Sequence, residues 1–157
     1  MASDRDRDER GRPRNLRPRD ALGRPMDRGT AGAIEEEELP DDPDELLRIG
    51  VEHFNAGRYF QAHEAWETAW HASPGAERDF WQGITQVAVG FTHHGRGNAT
   101  GAVTLLRRGA AKIEPYGERF HGFPAADVAA AARRAADRIE RDGVETDVDP
   151  PELRLDS

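Results

Sequence analysis

The 157-residue chain has no cysteine, which excludes disulfides and thiolate metal sites and leaves any metal to His, Asp, Glu or water. It has a single lysine, Lys112, so the other basic side chains are all arginine, and acidic residues outnumber basic ones by 30 to 22. A net charge of −8 argues against nucleic-acid binding by the core domain, because the phosphate backbone is held through clustered positive charge. The same bias fits the acidic proteins of a salt-adapted, halophilic archaeon, in which screening relieves self-repulsion. No apolar run approaches the roughly 18 residues that span a bilayer, and the first thirty residues hold no signal-peptide apolar region. The expectation is a cytoplasmic protein with no membrane partner. Sustained period-two alternation of β-branched residues is also missing, so no sheet is expected.

What is present divides the chain in three. Residues 1–40 are rich in Arg, Asp, Gly and Pro, with nine arginines against six acidic residues in the first thirty, then the acidic run Glu35 to Glu38. They bury too little apolar surface to offset the entropy of ordering, and a disordered N-terminal arm is predicted. Residues 41–142 read as one helical domain. Residues 143–157 read as an acidic tail with little structure.

Within the domain, Asp42 and Pro43 mark a helix start, and a first helix runs over 43–56 until Gly57. A second extends from Tyr59 to Ala72, where "SPG" breaks it. The third, 76–96, is apolar nearly all round between Phe80 and Phe91 and should be central. On it, Gly83 and Gly90 offer close approach to a neighbouring backbone. Asn98 can cap a fourth helix, Pro115 and Gly117 end it, and Pro124 opens a fifth. The fold class is therefore all-α, a compact bundle of about five helices.

Chemistry concentrates in "FNAGRYFQAHEAWETAW", residues 54–70. Helical projection centres its aromatic face on His63, with Tyr59, Phe60, Trp66, Glu67 and Trp70 on either side and Glu64 at the edge. His63 and Glu67 are i and i+4 partners. On the third helix Asp79, Gln82, Gln86 and His93 share a stripe. Antiparallel packing of the two helices would set His63 and Glu67 opposite Gln82 and Gln86, with Arg78 available as an ion-pair partner.

Three functions fit. The polar groups can satisfy one another as a structural network or line a small cleft. Alternatively His63, Glu64 and Glu67, with His93, act as an acid/base pair or hold a divalent metal in a hydrolase, the metal candidates being His63, Glu67 and His93. "HEAWE" matches only the first half of the zincin pattern, since Glu67 stands where a second histidine is needed, and the amides of the third helix are poor ligands. The last reading is a partner or nucleic-acid module acting through the arginine-rich arm. A protein partner or homo-oligomer fits any of the three. "GRGN" at 95–98 lacks the preceding strand of a phosphate loop and reads as a tight interhelical turn.

The stretch from Phe54 to Ile113 resembles the domain-of-unknown-function family 309, through Gly-x-Tyr-Phe-x-x-His-Glu in "FNAGRYFQAHEAWETAW", through "ERDFWQGITQVAVGFTH" and through the turn "GNATGA". The resemblance implies a compact fold with one helix surrounded by others, and no established activity. By position it picks out His63, Glu64, Glu67, Arg78, Gln82, Gln86, His93 and Asn98. Trp66, Thr92 and Gly95 depart from the family's commoner residues.

Overall fold

The computed structural model describes residues 38–156, and in addition the backbone of two dipeptide strands, β1 (Asp6–Arg7) and β2 (Pro13–Arg14), paired antiparallel. The predicted disorder of residues 1–40, and the nucleic-acid reading of that arm, lie almost wholly outside the described residues.

Five helices follow: α1 (Pro43–Asn55), α2 (Tyr59–Ala72), α3 (Gly75–Gly95), α4 (Ala99–Ile113) and α5 (Ala125–Asp142), with a 3₁₀ turn at Glu114–Tyr116. Each begins and ends for local reasons. The Asp42 carboxylate accepts from the Glu45 amide at 3.2 Å and Pro43 occupies the first turn, so α1 starts there. Gly57, at φ +79°, turns the chain into α2. Asn98 Oδ1 accepts from the Gly101 amide at 2.9 Å and starts α4.

α3 is the central helix, packed against α2 on one flank and α4 on another, while α1 leans on α2 and α5 on α4. Phe80, Trp81, Ile84, Val87, Ala88 and Phe91 are all buried on it. The glycines of α3 act as the sequence suggests, and α4 is the helix they admit. A Cβ on Gly109 would lie 2.6 Å from the Gly83 carbonyl oxygen, and one on Gly90 would lie 2.7 Å from Leu106 Cγ. Gly50 on α1 likewise leaves the space that Trp66 fills, and the indole N–H donates to the Leu47 carbonyl at 3.3 Å.

The inward face of α2 is not centred on His63 but on Ala62, Ala65, Trp66 and Ala69, all fully buried. Small side chains let α2 sit close to its neighbours, so alanines occupy the deepest positions. Tyr59, His63 and Trp70 fall at the rim, only partly buried.

Residues 143–156 form no helix or strand, yet they are docked. Leu153 is buried at 2% exposure, Val148 and Leu155 pack against the core, and His94 Nε2 bonds to the Thr146 carbonyl at 2.8 Å.

Candidate functional site

The helical repeat brings His63, Glu67 and His71 into one row along α2. His63 Nε2 lies 3.1 Å from Glu67 Oε2, and His71 Nε2 lies 3.9 Å from Glu67 Oε1. The second ring nitrogen of His63 is 3.3 Å from the Phe60 carbonyl oxygen. Both nitrogens therefore face oxygen acceptors, and only a doubly protonated ring donates to both at once. The row is half-open to solvent: the side chains of His63 and Glu67 are 18% and 40% exposed. Such a pair is worth at most about 1 kcal/mol, because water screens it and two side chains must be held still.

Rings flank the row. Phe60 lies 5.1 Å from the His63 ring, and the Arg96 guanidinium sits 6.0 Å from the centroid of the same Phe60 ring. At the other end Trp70 stacks on His71 at 4.9 Å with 20° between planes. Arg96 comes from just beyond α3, and the Tyr59 to Phe91 contact at 5.4 Å fixes the start of α2 beside the end of α3.

The other predicted residues divide. His93 and Asn98 meet, the Asn98 amide nitrogen lying 3.2 Å from His93 Nδ1. Since Asn98 Oδ1 is committed to the Gly101 amide, its NH₂ is the group that faces His93, and the neutral ring then carries its proton on Nε2. Gly101 makes this possible, as a Cβ there would come within 2.7 Å of Asn98 Nδ2. The pair thus belongs to the cap that starts α4. Glu64 is half-buried on α2, its carbonyl accepting from the Thr68 hydroxyl at 2.9 Å. Gln82 is half-buried on α3, and Gln86 Oε1 is buried with no hydrogen-bond partner among the described residues. Arg78 is exposed and takes part in no ion pair among the described residues. Glu77 beside it bonds His121 at 2.7 Å, and Asp79 is 3.7 Å from Lys112.

Among the described residues no three His, Asp or Glu side chains are grouped to hold a metal ion. His63 and His71 stand two helical turns apart, about 12 Å along the axis, and cannot share one ion.

Several partners escape the sequence. The spacing of His71 from Glu67 repeats that of His63 and could have extended the row. Arg96 with Phe60, Arg58 Nε donating to His53 Nδ1 at 2.8 Å, and Glu77 with His121 depend on chain turns that no spacing rule encodes.

The model of a protein family described as a domain of unknown function, DUF309, matches residues 47–105. Over 55 residues the chain is 42% identical to the uncharacterized protein YpuF of Bacillus subtilis (strain 168), a stretch that covers 34% of this chain and 32% of that protein. The match thus spans about a third of the relative's length. The family match runs from α1 into α4 and contains the whole polar cluster, so the similarity is to a domain of unknown function and falls on the part of the fold that builds the row.

Proposed function

We propose that residues 41–142 are a non-catalytic interaction module that presents the outer edge of α2, from Phe60 to His71, to a protein partner. The observation that carries this reading is that both ring nitrogens of His63 are turned toward oxygen atoms of its own helix. A histidine acting as general base needs one nitrogen turned to substrate while a carboxylate orients the other. In this chain Glu67 engages Nε2 and the Phe60 carbonyl engages Nδ1, which suits a side chain held still for recognition.

The composition of the edge supports a protein partner. Aromatic rings and arginine are the residue types enriched where interfaces bind most strongly, and Phe60, Trp70 and Arg96 bracket the charged row. Arg96 lies over the Phe60 ring and Trp70 stacks on His71, which restrains these side chains in advance and lowers the entropy lost on association. A single lysine and a net charge of −8 support a salt-rich cytoplasm of archaeal type as the setting.

Site-specific photo-crosslinking in the source cells tests the reading. A photoreactive residue at position 71 is expected to yield a discrete adduct with another protein, and the same residue at Ala130, exposed on α5, is expected to yield none. Equal labelling from both positions, or none from position 71, overturns it.

A further inference from the structure

On a different part of the molecule from the α2 edge, the segment that follows α5 lies in a groove with the contacts of a recognised peptide. Asn55, the last residue of α1, uses both ends of its amide on one residue: its NH₂ donates to the Leu153 carbonyl at 2.8 Å, and its Oδ1 accepts from the Leu153 amide at 2.7 Å. Between those two bonds the Leu153 side chain enters the core at 2% exposure. Three residues on, the Asp156 amide donates to the Gly122 carbonyl at 3.0 Å. Arg119 then reads the charge, with its Nε 2.9 Å from Asp156 Oδ2 and one terminal nitrogen donating to the Arg154 carbonyl at 3.1 Å.

Two features mark the groove as fitted to backbone. Gly122 has φ +77°, and a Cβ there would lie 2.2 Å from the Asp156 carbonyl oxygen, so only glycine leaves room for the segment. The neighbouring turn is held independently of it by the paired bonds between Phe120 and Phe123, at 2.9 and 2.8 Å. Main-chain bonds supply grip in such a groove and the alternate side chains supply selectivity, here Leu153 and Leu155 with the acid of Asp156.

We propose that Asn55, Arg119 and Gly122 form a recognition groove for an extended Leu-x-Leu-Asp segment of a partner protein, filled in the isolated chain by its own residues 153–156. The internal segment competes with the partner at the millimolar effective concentration of a short tether.

The probe is a fluorescent peptide of sequence DPPELRLDS, titrated by anisotropy into the full chain and its variants. Leu153→Ser withdraws the anchor of the internal segment, and Asp156→Arg sets like charges against Arg119 without touching the core. Each variant whose helical circular dichroism matches the native chain is expected to bind the peptide at least tenfold more tightly than the native chain does. Adding Asn55→Ala or Gly122→Ala to that variant is expected to remove the gain. Failure of both single variants to bind more tightly overturns the proposal, as does undiminished binding in the double variants. Light scattering that finds the native chain dimeric through exchange of this segment overturns it too, because the groove would then not be filled from within.

Discussion

Tyr59 shows how a single side chain can couple packing to pH. Its ring meets Phe54 at 5.0 Å and Phe91 at 5.4 Å, and burial raises the phenol above its ordinary 10.0, since the phenolate would lose its hydration. A group whose value is raised on folding gives stability that is fully present below the unfolded value and is lost as pH rises through the folded one. The thermal midpoint should therefore fall above pH 10 more steeply in the native chain than in Tyr59→Phe, which keeps the ring contacts and cannot ionise. Parallel melting curves between pH 9 and pH 11 would remove this account. At this scale the sequence was legible where spacing is short: His63 with Glu67, and Asn98 as a cap. It was not legible where a lone residue finds its partner through the fold, as His121 finds Glu77 forty-four positions away. The aromatic weighting of the projection also misplaced His63 at the centre of a face, when the alanines two helices can share closely mark that centre.

At the level of elements the bundle depends on the contact between α3 and α4. Gly83 and Gly109 bring the two backbones together, and a methyl group at 109 would meet a carbonyl oxygen and the backbone nitrogen of Val87 at 2.9 Å, none of which can rotate away. Gly109→Ala is accordingly expected to destabilise the chain by about 1 to 3 kcal/mol, despite the better helix propensity of alanine, which favours the change by about 1 kcal/mol. Urea unfolding measures it, and a variant as stable as the native chain would mean that the helices can part at no cost. Helix boundaries themselves were readable to within a residue or so, because Asp42, Gly57, Pro74 and Asn98 act on their own neighbours. The identity of the helix that would approach Gly83 was not, since nothing local distinguishes α4 from α5 as its neighbour.

For the whole molecule, charge is the global variable. The body carries Arg107 bonded to Asp137 and Glu140, an exposed clamp between α4 and α5 that holds the Glu140 carboxyl below its ordinary 4.5 through the guanidinium hydrogen bonds. Exposed pairs of this kind weaken in salt, but they contribute little, whereas the repulsion of a net −8 acts across the surface. The screening length falls from about 10 Å at 0.1 M to about 3 Å at 1 M. The melting temperature should rise as potassium chloride is raised between these concentrations, and a steady fall would show that the ion pairs outweigh the repulsion. The all-α class and the central helix were evident from periodicity alone. The docking of residues 143–156 was not, because an acidic stretch without period gives no sign that Leu153 reaches the core.

The amide clamp between Asn55 and Leu153 also bears on the order in which the molecule is made. It joins positions 98 apart in sequence. During synthesis α1, α2 and α3 leave the ribosome long before Leu153, so α1 can dock on α2 while the Asn55 amide at its end stays bonded to water. Only when the segment after α5 arrives do the clamp's two bonds close and tie the first helix to the last stretch of the domain, so they are among the last native contacts a nascent chain can make.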